Sequence, residues 1–352
     1  MTNDSRPRVL ISYFFENDSI PLGFACRDAF EALGFEARGF HGQAEHVFNR
    51  RILKPAGKLA KVFMRRPVDF SRGTRWHNQT YREAELRRVV AAFRPDLLLV
   101  IRGNSFDGEV IASLKAEYGI RATTGWWVKD PRSDDQMLRD ARIYDHYFCI
   151  HTHGYGPESG IRHLPALGLY ERLYRPKSER HESDFVANIV FAGGHGERRE
   201  RHLRPLVDLG LRIYGPGWRK GRRLFDTGLR RAWAGSGIWG EPLVDLYCRS
   251  RVVVNVSSWD PQRLGGQNLR LLDVPATGAF LLTDHTEEVR EYFTPGREIE
   301  TFTSPEELRD KAAYYLAHAE ARERIARAGL ERSRTLPTYE MRMRSLLDAI
   351  NW

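Results

Sequence analysis

Short apolar runs alternate with amphipathic segments in the first half of the chain. Val9–Phe15 is a β-rich run, and a helical spacing of apolar residues follows over Leu22–Leu33 and stops at Gly34. Further on, a helical pattern over Tyr81–Phe93 leads into Leu97–Ile101, a continuous apolar run typical of a buried parallel strand. This alternation predicts a parallel sheet covered by helices.

The alternation starts again in the second half. Apolar runs predict strands at residues 188–192, 211–214, 251–256 and 279–283, and helical patterns lie at 269–277 and 305–318. Residues 166–186 have no sustained periodicity of apolar residues, and we interpret them as a linker. The predicted fold class is α/β, with two tandem Rossmann-like, doubly wound domains (1–165 and 187–335) facing each other across a cleft, and a C-terminal helix (336–352) that can pack back on the first domain.

The composition narrows the class of protein. With 41% hydrophobic and 11% aromatic residues, the chain is too apolar to be disordered. No stretch reaches the roughly 18 uncharged apolar residues that a membrane-spanning helix needs. The cysteines, Cys26, Cys149 and Cys248, lie far apart without a C-x-x-C pair, which argues against a disulfide framework or a thiolate zinc site. We therefore expect a soluble, cytoplasmic protein.

The net charge of +9 is concentrated in two segments. Residues 50–102 contain 14 basic and 4 acidic residues, and residues 198–231 contain 11 basic and 3 acidic residues. Two basic segments in an otherwise nearly neutral chain indicate either two surfaces that face anions or two solvated, arginine-rich helix faces. The charge pattern alone leaves both interpretations open.

Residues 54–66 have the pattern of a basic amphipathic helix. Basic residues recur every three or four positions at Lys54, Lys58, Lys61 and Arg65, beside an apolar stripe. Three interpretations fit this pattern: peripheral docking at the inner membrane face, binding of an anionic acceptor or nucleic acid, and a core-facing helix with a solvated side.

A glycine-rich turn after the predicted strand 188–192 is the clearest local motif. Gly193, Gly194 and Gly196 let the backbone approach an anion closely, and the basic helix that follows starts with Arg198 and Arg199 nearby. This arrangement favours a phosphate-binding loop. A simple strand-to-helix turn is the alternative, because the spacing matches neither G-x-G-x-x-G nor a Walker loop.

Two further motifs follow strands in the second half. Tyr214 and Trp218 flank a Gly-Pro-Gly turn, where an aromatic ring can stack on a nucleobase or cover the core. Asn268 and Arg270 start a predicted helix, where they can hold a phosphate, and Asp273 can accept hydrogen bonds from ribose hydroxyls.

Together, these motifs resemble the CgeB-like (spore maturation protein) glycosyltransferases. The Tyr-Gly-Pro-Gly-Trp turn, the stretch Asn268–Asp284 and the segment Thr338–Met343 are similar to that family's YGPGW, R-x-F-E-x-x-A-x-G-x-F-L-L-T-D and T-Y-x-x-R-M segments. Trp126–Pro131 is similar to its W-x-x-D-D-P segment. The resemblance covers most of residues 95–350.

The resemblance implies a GT-B type fold and transfer of a sugar from a nucleotide-sugar donor, with no cofactor and no required metal. It places donor-binding residues in the second domain: Gly193, Gly194, Gly196 and Arg198 near the diphosphate, Tyr214 and Trp218 near the base, Asn268 and Arg270 near phosphate, and Asp273 near ribose. Many retaining relatives of this fold carry two glutamates eight positions apart, whereas this chain has Gly265 and Asp273. The stereochemical outcome therefore stays open.

An inverting reaction also needs a base for the acceptor hydroxyl. Asp130, at the end of a predicted strand in the first domain, is the first candidate, although it can equally cap a helix ahead of a proline. Glu16 and Asp18, after the first strand, are the others. His151 and His153 are paired without a third ligand at a recognisable spacing, so no metal site is expected.

Two other classes of function fit parts of the sequence. A nicotinamide oxidoreductase would share the Rossmann-like pattern, but Val9–Phe15 is not followed by a G-x-G-x-x-G turn. A non-catalytic protein that binds polyanions or nucleic acid would account for the basic segments, which contain no recognisable zinc-finger, RRM or KH signature.

Overall fold

The computed structural model describes residues 6–16, 19–129, 133–151, 155–177, 182–218, 227–260 and 268–352. The candidate base residues Asp130 and Asp18, as well as Gly265 and His153, lie outside these ranges. The twelve strands found in them are β1 Arg8–Tyr13, β2 Glu36–His41, β3 Leu97–Ile101, β4 Ala122–Trp127, β5 His146–Cys149, β6 Ile161–His163, β7 Ala187–Ala192, β8 Leu211–Tyr214, β9 Trp233–Gly235, β10 Ser250–Asn255, β11 Leu281–Asp284 and β12 Glu300–Phe302.

Helices connect most of these strands. They are α1 Leu22–Ala32, α2 Lys54–Met64, α3 Asn78–Phe93, α4 Gly108–Tyr118, α5 Asp134–Ala141, α6 Glu197–Leu203, α7 Thr227–Ala232, α8 Gly240–Cys248, α9 Arg270–Ala276, α10 Val289–Tyr292, α11 Pro305–Ala317, α12 Ala319–Ser333 and α13 Tyr339–Ala349. A π-helical turn, Asn49–Leu53, leads directly into α2.

The first compact unit comprises residues 1–16, 21–149 and 155–162. Its six strands are ordered β2-β1-β3-β4-β5-β6, and the registers of the first five are parallel. The central strand β3 is entirely buried because both faces of a parallel sheet are covered by helices. The order of the sheet reverses between β1 and β3, which makes the carboxyl ends of these two strands the expected ligand-binding edge.

The second compact unit comprises residues 17–20, 150–154 and 163–352. Its six-stranded sheet is ordered β12-β11-β10-β7-β8-β9 and is parallel throughout. The strand order reverses between β7 and β10, so loops after these strands meet at a crevice where doubly wound sheets bind ligands. Apolar residues of alternate strand positions fill the core on both faces.

The predicted α/β class with two Rossmann-like sheets is confirmed. The C-terminal helix α13 belongs to the second unit, where the Tyr339 hydroxyl donates to the Ala166 carbonyl and Arg342 Nε donates to the Leu167 carbonyl, over 3.1 and 2.6 Å. Residues 166–177 of the interpreted linker also lie in this unit. Packing of the C-terminal helix on the first domain stays a prediction.

Candidate functional site

Arg198 occupies the crevice between β7 and β10. Its Nη2 donates to Asp284 Oδ1 over 2.6 Å, and its Nη1 donates to the Ser257 carbonyl over 3.2 Å. Asp284 also accepts from the Ser257 backbone N–H at 2.6 Å, and its side chain is only 3% exposed. A buried carboxylate thus fixes the guanidinium, whose remaining N–H groups can meet an anion.

Asn268 extends this polar network along the strand ends. Its Nδ2 donates to Asn255 Oδ1 over 2.9 Å and lies 3.3 Å from Ser257 Oγ. Asn255 in turn donates to Thr283 Oγ1 over 2.9 Å. Side chains from the loops after β7, β10 and β11 therefore meet at one edge of the sheet, and Arg198 and Asn268, both expected near phosphate, are brought together by the same network.

Two glycine turns pack against each other beside this network. A Cβ atom on Gly215 would lie 1.9 Å from the Gly193 carbonyl oxygen, so only glycine allows this approach. The Gly193 N–H donates to the Tyr214 carbonyl, and the His195 N–H donates to the Pro216 carbonyl. The loop Gly193–Gly196 therefore has its shape fixed by the turn after β8.

Trp218 supports the glycine loop from the core and offers no face to a base. The residue is 5% exposed, its indole N–H donates to the Gly193 carbonyl over 2.9 Å, and its ring packs edge-on against Phe191 and His195. This burial argues against the expected stacking role of Trp218. Tyr214 is half-buried at the same strand end and stays the candidate for base stacking.

The dipole of the helix that follows the glycine loop contributes little to anion binding. Helix α6 has seven residues, and Glu197 and Glu200 already occupy its first turn. His195 Nε2 lies 2.9 Å from Glu200 Oε2. Affinity for an anion at this loop therefore depends on the arginine side chains more than on the helix N-terminus.

Asp273 lies in the interior beside Arg270, Tyr174 and Tyr247. Burial raises the pKa of the Asp273 carboxyl well above its usual range, and the nearby Arg270 guanidinium and a hydrogen bond with Tyr174 oppose this rise only in part. The Asp273 residue is 6% exposed, so little of its surface is accessible for the expected direct contact with ribose. Arg270 Nε is buried without a hydrogen-bond partner among the residues described, so an incoming anion can satisfy it.

The raised pKa of Asp273 predicts a specific dependence of stability on pH. At a pH above about 4, the unfolded chain has released this proton while the folded chain retains it, so the free energy of unfolding falls by about 1.4 kcal/mol per pH unit up to the folded-state pKa. Asp273→Asn removes this titration. We expect the melting temperature of the variant, relative to that of the natural sequence, to increase from about pH 4 upward. A difference that is constant with pH contradicts the prediction.

The corresponding edge of the first unit contains an arginine that sequence reasoning missed. Arg102 follows β3 directly, adopts a positive φ of 73°, and places its guanidinium 5.6 Å from the centre of the Phe14 ring, which follows β1. Burial lowers the pKa of Arg82, and the Arg102 charge contributes to this decrease. The strained backbone of Arg102 at the end of a central strand makes this residue a candidate for binding an anion. In the sequence, the one feature that could have indicated a role for Arg102 is its position directly after an apolar strand.

Glu16 is the one candidate base within the described ranges. His41 Nδ1 accepts a hydrogen bond from the Phe15 N–H at 3.2 Å, which in a neutral imidazole leaves the proton on Nε2, 3.3 Å from Glu16 Oε1. The Glu16 side chain is 59% exposed and thus accessible to an acceptor. The structure therefore provides a carboxylate oriented by a histidine at the β1 strand end.

Within the ranges that the structure covers, no three His, Cys, Asp or Glu side chains are arranged to hold a metal ion. His151 is buried and its ring packs edge-on against that of Trp259. No helix in the same part of the chain has the length and hydropathy required to cross a bilayer.

Comparison with known proteins gives a match to a glycosyltransferase-like family and one to a spore protein. Residues 198–348 match the model of the family described as Glycosyl transferase-like. The chain is 23% identical over 275 residues to spore protein CgeB of Bacillus subtilis (strain 168), an alignment that covers 73% of this chain and 83% of that protein.

Solved structures with the same fold cover nearly the whole chain. Sucrose-phosphate synthase from Thermosynechococcus elongatus superposes with a TM-score of 0.62 at 13% identity, covering 98% of this chain and 99% of its own. A glycosyltransferase from Rickettsia africae ESF-5 gives 0.61 at 10% identity, with coverages of 98% and 97%. Anabaena Alr3699/HepE in complex with UDP-glucose gives 0.61 at 9% identity, with coverages of 98% and 99%.

Proposed function

We propose that this chain, a CgeB-like glycosyltransferase of the GT-B type, binds the diphosphate of its nucleotide-sugar donor through Arg198, Arg270 and Asn268 in the second unit. The observation that carries the proposal is the polar network at the point where the strand order of the second sheet reverses. It joins Arg198 and Asn268 through Ser257 and buried Asp284. The UDP-glucose complex of the structural neighbour HepE supports a UDP-sugar as the donor class.

The network suits the chemistry of the leaving group. Glycosyl transfer develops positive charge on the sugar and negative charge on the departing diphosphate. A guanidinium held in place by Asp284 needs no reorganisation when that charge appears, and Arg270 adds a second cation whose Nε has no partner among the described residues. Asp273 orients Arg270, and Tyr214 stacks on the base. These groups stabilise the leaving group without a required metal.

The first unit supplies the acceptor side in this proposal. Asp130, Glu16 and Asp18 are the candidate bases, and the pair Glu16 and His41 has the geometry of a carboxylate oriented for proton transfer. Arg102, at the end of β3 beside Phe14, favours an acceptor that carries negative charge. The acceptor hydroxyl can belong to a glycan, a lipid-linked molecule or a protein. A hexose is the proposed transferred sugar.

We further propose that the enzyme acts in the cytoplasm, with peripheral contact at the inner membrane face through the basic helix near residues 54–66. Nucleic acid is not an expected partner. The basic charges of the second unit are better explained by the donor site, since Arg198 and Arg199 both contact strand-end carbonyl groups there.

Three substitutions test the assignment of roles. Arg270→Ala and Asp273→Ala should each weaken nucleotide-sugar binding about tenfold or more, because each disturbs a cation at the diphosphate. Asp130→Ala should leave that affinity unchanged and lower turnover. Titration calorimetry with the donor and a turnover assay separate the two effects. Equal donor affinity in all three variants contradicts the site assignment.

A further inference from the structure

Helix α2 exposes large apolar side chains on the first unit. Leu59, Val62, Phe63 and Met64 are between 54% and 79% exposed, and Ile52 in the preceding turn is 52% exposed. At helical spacing, positions 52, 59 and 63 fall on one stripe, whereas Gly57, the buried residue of the helix, lies on another side. An exposed stripe of this size indicates contact with an apolar phase or with another molecule.

The same segment is strongly cationic. Residues 46–68 contain seven lysines and arginines and neither aspartate nor glutamate. Lys54 pairs with Glu45. The six others are exposed and form no ion pair with any residue whose structure is described: Arg50, Arg51, Lys58, Lys61, Arg65 and Arg66. Exposed apolar groups flanked by unpaired cations are complementary to the interface of an anionic bilayer, where acyl chains and phosphates lie within one helix diameter.

A cavity of about 420 Å³ lies beside the helix. Lys54, Lys58 and Lys61 contribute to its lining, with His77 and Asn49 also at the wall. One acidic residue, Asp69, lies there too. Hydrogen bonds from Ser71 lower the pKa of Asp69, whose carboxylate also lies 3.9 Å from His77 Nε2. Lys58 and Lys61, set against the single carboxylate of Asp69, leave the cavity with an excess of positive charge suited to a phosphate.

Asn49 adds a second requirement for the occupant of this cavity. The residue is 2% exposed, and its Nδ2 donates to Asn78 Oδ1 over 2.9 Å, while its Oδ1 is buried with no hydrogen-bond partner among the described residues. An unpaired buried acceptor is costly unless a ligand supplies a donor. The phosphodiester of a lipid headgroup has no donor to offer at neutral pH, whereas a hydroxyl next to that phosphodiester does.

We propose that α2 and the adjoining cavity form a docking surface for an anionic phospholipid. Lys58 and Lys61 bind the headgroup phosphate, and Asn49 accepts a hydrogen bond from a headgroup hydroxyl. Leu59, Val62 and Phe63 enter the acyl region. Phosphatidylglycerol has this combination of phosphate and hydroxyl groups. The inference deepens the membrane contact proposed above, and it does not depend on donor chemistry because α2 belongs to the first unit.

Vesicle co-sedimentation of the full chain tests the docking surface. The natural sequence should bind phosphatidylcholine vesicles that contain phosphatidylglycerol and should not bind phosphatidylcholine alone. Lys58→Glu with Lys61→Glu should weaken binding about thirtyfold, and Leu59→Ser with Phe63→Ser should weaken it similarly. The matched control is Arg290→Glu with Arg344→Glu, which changes net charge equally on exposed positions of the second unit and should retain binding.

Measurements of the melting temperature distinguish a specific headgroup site from general electrostatic attraction between the basic helix and anions. Soluble glycerophosphoglycerol should raise the melting temperature of the natural sequence and not that of the Lys58→Glu, Lys61→Glu variant, and inorganic phosphate should raise it less. Any one of four results would overturn the proposal. These are absence of vesicle binding, equal binding by the charge-reversed variant and its control, binding to DNA in place of vesicles, and no shift in melting temperature with glycerophosphoglycerol. Unchanged donor hydrolysis in these variants keeps the result distinct from a failure of the proposed function.

Discussion

Arg198→Ala is expected to lower turnover of the nucleotide-sugar donor by about 100- to 1,000-fold, the usual cost of losing one preorganised donor at a developing negative charge. It is also expected to destabilise the second unit by about 3 to 5 kcal/mol, because Asp284, with a 3% exposed side chain, loses the cation with which it pairs. Steady-state kinetics and chemical denaturation measure the two effects.

A second substitution separates the two contributions. Asp284→Asn in the Arg198→Ala background removes the unpaired buried charge and should recover part of the lost stability, whereas turnover should stay low. Arg201→Ala is the matched control, since Arg201 lies on the same helix and is exposed. Full turnover in Arg198→Ala, or recovery of turnover together with stability in the double variant, contradicts a direct role for this guanidinium.

Gly215→Ala is expected to have the largest effect among the glycine substitutions. Its Cβ would lie 1.9 Å from the Gly193 carbonyl oxygen, a backbone atom that cannot move without displacing the loop Gly193–Gly196. We expect a loss of about 3 kcal/mol in the free energy of unfolding and a decrease in donor affinity of at least about tenfold. Thermal denaturation and donor titration of the same sample measure both.

Gly196→Ala provides the matched contrast. A Cβ at this position has nothing within 4 Å, and the φ of −165° is extended backbone that alanine adopts readily. The melting temperature should therefore stay within about 1 °C of that of the natural sequence, while donor affinity falls if the diphosphate approaches this loop. A Gly196→Ala variant with unchanged donor affinity would show that the diphosphate binds elsewhere, whereas unchanged stability in Gly215→Ala would contradict the packing of the two turns.

Elements marked by a continuous apolar run or by a sustained helical spacing of apolar residues were predictable from the sequence. The run at 97–101 is β3 without any shift in its bounds, and the helical spacing at 305–318 corresponds to α11. Strand β2, Glu36–His41, escaped prediction because it is a half-exposed edge strand with charged and glycine positions in place of an apolar run. The three-residue strand β12 is too short to show a period. The resemblance to the CgeB-like glycosyltransferases is confirmed by the family match and the CgeB relative.

Residues of the candidate site were predictable from the sequence only where they follow the end of a predicted strand. Arg198 and Asn268 follow strand ends, and the structure joins them in one network. Asp284 ends a strand within a motif noted in the sequence, but only the three-dimensional structure shows that it pairs with Arg198, 86 positions away. The burial of Trp218 could not be predicted, since an aromatic ring after a Gly-Pro-Gly turn can face either the core or the solvent.

Release of nucleoside diphosphate from a panel of nucleotide sugars tests the central claim most directly. The panel comprises UDP-, GDP-, dTDP- and CMP-sugars, with release of CMP followed for the last, and the proteins compared are the natural sequence, Arg198→Ala and Arg201→Ala. We predict that at least one donor is cleaved, that cleavage falls about 100-fold or more in Arg198→Ala, and that it is unchanged in Arg201→Ala. If no nucleotide sugar is bound or cleaved while NAD(P) or DNA stabilises the protein, glycosyl transfer by this site is contradicted.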